Sequence, residues 1–132
     1  MSKGWHPSKL LSFGAKVTDS HMKIIGQCSK IQHLYLDIAD ISDESVGYIN
    51  ELKNLEMLDL SYCKISVKFL NEIDLKSLNK LKSLTISRTI LEGDFNISKF
   101  KNLENFVLAD CSLSTSFKEK LVAELPNIKF DF

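Results

Sequence analysis

Arginine is almost missing from this chain: of 17 basic residues only Arg88 is one, and the 17 acidic residues cancel the rest to a net charge of zero. No overall field draws such a chain to nucleic acid or to an anionic membrane. Bidentate guanidinium recognition of phosphate is confined to one position. Glycine is sparse, five residues scattered along 132, and none forms a glycine-rich phosphate loop after a strand. The first twenty-five residues contain no apolar run of signal-peptide or membrane-spanning length. An intracellular, cytoplasmic protein is expected, with mitochondrial residence or delivery into a host cell left open. Cysteine is scarce and odd in number: Cys28, Cys63 and Cys111 lie far apart in apolar surroundings. They read as small buried hydrophobes in a reducing compartment, not as a disulfide framework.

What the chain does have is repetition. KNLEMLDLSYCKIS, from residue 53, returns as KNLENFVLADCSLS, from residue 101. Aligned on that phrase, successive units start at Ile31, Leu55, Leu81, Leu103 and Ile128, each preceded by Lys or Asn, at spacings of 24, 26, 22 and 25 residues. Each of the first four carries apolar residues three and five places on, as in Leu34 and Leu36, Leu58 and Leu60, Leu84 and Ile86, Phe106 and Leu108. A small or thiol residue follows (Ala39, Cys63, Thr89, Cys111), then an aliphatic one (Ile41, Ile65, Leu91, Leu113). Leu10, Ser12, Ala15 and Val17 keep the frame one period upstream. The period-two stretch is a short strand, and the remainder returns along the other side to begin the next parallel strand. Repetition of that unit gives an α/β solenoid with a parallel concave sheet and helices or turns on the convex side. A single domain over 1–132 is expected, with a degenerate repeat at 7–30, repeats at 31–54, 55–80, 81–102 and 103–127, and a terminal edge strand at 128–132.

Helix signals fall where the return segments need them. Thr18 or Asp19 can cap a helix with Met22, Ile25 and Cys28 on one face, and Ser42 can cap one with Val46, Ile49 and Leu52. Asp43 is also read as a cap residue. Ser116 with Glu119 predicts a capping box ahead of Phe117, Leu121 and Leu125. The shorter GDFNISKFKN predicts one turn or a 3₁₀ piece anchored by Phe95 and Phe100.

CSKIQHLYLDIADISDESVGYI and LEMLDLSYCKIS resemble the cysteine-containing leucine-rich repeat, roughly C-x-x-L-x-x-L-x-L-x-x-C-x-x-I-T-D. Cys28 matches its first cysteine, Cys63 and Cys111 its second, and Val17–Asp19 and Ile41–Asp43 its ending. Thr89 and Ala39 replace the second cysteine in the other repeats. The resemblance implies a scaffold that binds proteins through its concave sheet, as in the substrate-binding parts of F-box ubiquitin-ligase subunits and the ATP synthase coupling factor B. Small repeat proteins of this kind also occur among bacterial effectors.

Alternate strand positions face solvent, so the repeats stack their outward residues into columns. Leu11, Phe13, His33, Tyr35, Met57 and Tyr62 are expected to form one apolar and aromatic patch, rimmed by Asp37, Asp59 and Arg88. A competing expectation is that the Trp5–Pro7 segment lies over Leu11 and Phe13 as a lid. The chemistry weighed against protein binding is thin. His6, His21 and His33 share no metal-ligand spacing, and Asp37, Asp40, Asp43 and Glu44 lack the alternating ligands of a calcium loop. A cysteine nucleophile needs an exposed thiolate and a base, which the repeat frame denies. The sequence therefore predicts a non-enzymatic module without cofactor or metal: an adaptor, a substrate-recognition element or an effector. An assembly subunit of a larger complex is the alternative, because the IKFDF edge would also permit self-association.

Overall fold

The computed structural model describes residues 8–11 and 16–132, with Leu11 given by its backbone. Six strands, β1 (Lys9–Leu11), β2 (His33–Tyr35), β3 (Met57–Asp59), β4 (Ser83–Thr85), β5 (Asn105–Val107) and β6 (Lys129–Asp131), form one all-parallel sheet in sequence order. The register sets Leu10, Leu34, Leu58, Leu84, Phe106 and Phe130 in line. Leu34, Leu58, Leu84 and Phe106 are completely buried, and Leu36, Leu60, Ile86 and Leu108 form a second buried line beside them. This is the α/β leucine-rich-repeat solenoid expected from the spacing.

The strands are three residues long because the chain turns at once. Ile38, Tyr62, Arg88 and Asp110 hold φ of 65°, 64°, 55° and 56°, a left-handed conformation that L side chains adopt at a cost of about 1–2 kcal/mol each. The turn is closed by Ala39, Cys63 and Cys111 amides donating to Leu36, Leu60 and Leu108 carbonyls. Inside it the thiols act as donors to the preceding repeat, Cys63 Sγ to the Leu36 carbonyl at 3.1 Å and Cys111 Sγ to the Ile86 carbonyl at 2.8 Å.

The return segments are α1 (Asp19–Ile25), a 3₁₀ turn (Asp43–Ser45) running into α2 (Val46–Ile49), α3 (Val67–Glu72), a second 3₁₀ turn (Ile97–Phe100) and α4 (Thr115–Glu124). Met22, Ile25, Val46, Ile49, Phe69, Leu70, Ile97, Phe100 and Leu121 point inward and are buried. Gly26 lets α1 approach α2, since a Cβ there would lie 2.8 Å from the Tyr48 carbonyl oxygen.

Three local expectations are corrected. Asp43 is not a cap on its own turn; its carboxylate accepts the Ser66 amide at 2.8 Å and the Ser66 hydroxyl at 2.6 Å in the next repeat. Asp19 does the same one repeat earlier, accepting the Ser42 amide at 2.9 Å, the Ser42 hydroxyl at 2.6 Å and the Ser45 hydroxyl. The cap of α4 is Ser114, which accepts the Phe117 amide at 3.1 Å, so the helix begins two residues before the Ser116–Glu119 box would start it. Finally, Ile128 is displaced by one from the start position. Phe130 pairs with Phe106, so the connection after α4, through Pro126, is one residue shorter than the aligned start implied.

The extra length of the 26-residue unit is taken up after α3. Asp74 accepts the Lys76 and Ser77 amides and the Ser77 hydroxyl, closing a turn on itself. Asn50 and Asn71 then clasp neighbouring repeats much as Asp19 and Asp43 do: Asn50 receives the Asp74 amide at 2.8 Å, and Asn71 the Asn96 amide at 3.1 Å.

Truncating the ladder with Leu58→Ala should cost about 2–5 kcal/mol in denaturant unfolding. Asp19 gives a pH prediction. Burial would push its carboxyl up, but the Ser42 hydroxyl, the Ser45 hydroxyl and the Ser42 amide outweigh it and hold it below the ordinary 3.8. A group depressed in the folded state contributes fully above its unfolded value and loses that contribution as pH falls through the folded one. Asp19→Ala should therefore cost about 2 kcal/mol at pH 7, with the gap to the native protein closing as unfolding is measured below pH 3.8.

Candidate functional site

Along β2 to β5 the outward residues are half-buried rather than open, because neighbouring side chains cover one another, whereas Lys9, Lys129 and Asp131 on the outermost strands are exposed. Lys9, His33, Met57, Ser83, Asn105 and Lys129 share one column, and Leu11, Tyr35, Asp59, Thr85, Val107 and Asp131 the next. Tyr35 stands at the centre of the N-terminal half. Its hydroxyl donates to Met57 Sδ at 2.7 Å, its ring meets His33 edge-on with centroids 6.4 Å apart, and Lys9 Nζ lies 5.6 Å above it. The structure thus brings His33, Tyr35 and Met57 together as one cluster. Leu11 pairs with Tyr35 through its backbone; its side chain, Phe13 and the Trp5–Pro7 lid lie outside the described residues.

The expected polar rim divides. Asp59 is turned onto its own loop, accepting the Ser61 amide at 2.9 Å, and Ser61 itself is buried. Asp37 is half-buried on the same face. Tyr62 and Arg88 occupy the left-handed turns at the strand ends and are exposed, Tyr62 by 50%. The Arg88 guanidinium lies 5.4 Å over the Tyr62 ring and 3.4 Å from the Asp110 carboxylate. A cation on an aromatic face orders both side chains, whereas the exposed ion pair adds little.

Two exposed apolar residues at the strand-end turns stand outside the expected patch. Ile38, 66% exposed, precedes Tyr62 in the left-handed column, and Ile90, 67% exposed, follows Asp40 and Lys64, which pair at 3.2 Å. The repeat alignment already held the signal. Each is an aliphatic residue in a column whose turn geometry leaves it no interior to enter.

The thiols are buried. Desolvation pushes Cys63 up to about 12 and raises Cys28 and Cys111 as well. Among the described residues no group of three or more His, Cys, Asp or Glu is placed to hold a metal ion. No helix there is long and apolar enough to cross a membrane.

No family model matches the chain. Over 81 residues it is 35% identical to the adenylate cyclase of Schizosaccharomyces pombe, a match spanning 61% of this chain and 5% of that protein. Among solved structures, a leucine-rich-repeat protein of Leptospira interrogans superposes with a TM-score of 0.62 at 28% identity, over 82% of this chain and 27% of that one. Internalin C2 of Listeria monocytogenes aligns over 93% of this chain and 69% of its own, at 16% identity and a TM-score of 0.44.

Thiol chemistry offers a direct check on the interior. At pH 8 the folded protein should react with iodoacetamide at Cys63 at least about a hundredfold more slowly than the urea-unfolded chain, read by mass spectrometry.

Proposed function

Because the chain folds as a leucine-rich-repeat solenoid, we propose that it is a non-enzymatic protein-binding module whose concave sheet receives a protein partner. The observation that carries this reading is the packed cluster of Tyr35, His33 and Met57 on that sheet. Aromatic and methionine side chains supply large contact area on few rotatable bonds, and the cores of protein interfaces are rich in them. Six strands about 4.8 Å apart span about 24 Å, enough for a partner footprint of about 800 Å². Tyr62, stacked under Arg88, and Ile38 extend the surface at the strand ends. Leu11, Phe13, Asp37 and Asp59 complete the proposed face.

Within this class, an adaptor, a substrate-recognition element or an effector fits best, needing neither cofactor nor metal. Buried, protonated thiols support the non-catalytic reading. A second reading, an assembly subunit, is favoured by β6, last in the sheet of the described residues, where Phe130 and Phe132 are half-buried.

Tyr35→Ala separates the two. It should leave unfolding within about 1 kcal/mol of native, as a substitution outside the core, and abolish the partner band that the native chain captures from its source lysate. Tyr35→Ala binding like the native chain, with Phe130→Asp losing the partner while still folded, would transfer the contact to the sheet edge.

A further inference from the structure

The β6 edge has a self-complementary pattern, and we infer that β6 pairs antiparallel with β6 of a second copy about a two-fold axis at Phe130. The backbone supplies the first half of the argument. Lys129 N–H donates to Glu104, and the Asp131 carbonyl accepts from Leu108, so residues 129 and 131 are turned toward β5. Successive residues of a strand present their N–H and C=O to opposite sides. Phe130 therefore directs both groups to the side away from β5, where the sheet of the described residues has no further strand. In an antiparallel pair centred there, Phe130 and its symmetry mate exchange both hydrogen bonds.

The side chains supply the second half. About that axis Lys129 stands opposite Asp131 of the second copy, and Asp131 opposite its Lys129, in the close non-hydrogen-bonded positions where opposite charges stabilise a pair. Both residues are exposed. Charged residues on an edge normally discourage pairing; here they discourage the wrong registers. Centring on Lys129 or on Asp131 would set like charges face to face, and those residues have already given their backbone groups to β5. A two-fold axis through the sheet also keeps both cores on one side. Phe130 already stacks on Phe106 at 6.0 Å and on Phe132 at 5.4 Å. Val122, 50% exposed on α4, lies beside Phe132 in the same terminal groove. Pairing would continue that aromatic layer across the axis.

Sedimentation of the pure full chain tests this without any partner. The mass should rise from 15.0 kDa toward twice that value with concentration. Lys129→Asp and Asp131→Lys should each weaken association at least about tenfold, since each turns two attractive pairs into repulsive ones. The double exchange, Lys129→Asp with Asp131→Lys, should restore it to within about threefold. Raising the salt should weaken the native dimer, a readout that stands even if a single variant fails to fold. A chain monomeric up to about 0.5 mM, a dimer indifferent to salt or to the single reversals, or a folded double variant that stays monomeric would each overturn the inference. Tyr35→Ala should dimerise like the native chain, which keeps this result independent of the concave-face reading.

Discussion

Everything in this molecule depends on one constraint: each turn of chain must advance by one strand spacing while returning a leucine, or its substitute, to the same line. Leu10, Leu34, Leu58, Leu84, Phe106 and Phe130 satisfy it in strict register. Because parallel strands hydrogen-bond only to the repeats before and after, an error in one turn would expose the ladder residue and unpair the backbone on both sides. The left-handed turns at Ile38, Tyr62, Arg88 and Asp110 are the local strain that this closure requires.

The repeats are held together differently along the chain. Carboxylate clasps from Asp19 and Asp43 dominate the first repeats, and asparagine clasps from Asn50 and Asn71 the middle. Aromatic packing closes the last ones, where Phe95, Phe100, Phe106 and Phe117 meet within 5.1–6.5 Å. Polar clasps are directional and fix the spacing of short turns. Phenylalanines instead fill the volume left where the return segment is only a 3₁₀ turn. The convex side thus keeps the strands parallel by several routes, and the concave side is left free of structural duty.

That freedom is a ground on which recognition by the concave sheet is proposed. Its core-facing residues are interchangeable aliphatics, while its outward columns differ from repeat to repeat: histidine, methionine and serine in one, tyrosine, aspartate and threonine in the next. Large side chains gather toward the N-terminal strands and small ones toward β4. Specificity of that kind belongs to the surface residues and not to the scaffold.

The period, the buried ladder, the thiol positions and the outward columns were all legible in the sequence, because alternation in a strand and repetition along a solenoid are one-dimensional properties. The turn at 97–100 was legible too, from its short length and its glycine. Other features depended on atoms meeting across repeats. That Asp43 serves Ser66 rather than its own helix, and that β6 enters one residue early, are decided by where a carboxylate or an amide lies about two dozen residues away. Periodicity tells which residues face inward together; only the stacked backbone brings a polar group within the 3 Å or so at which it chooses its partner.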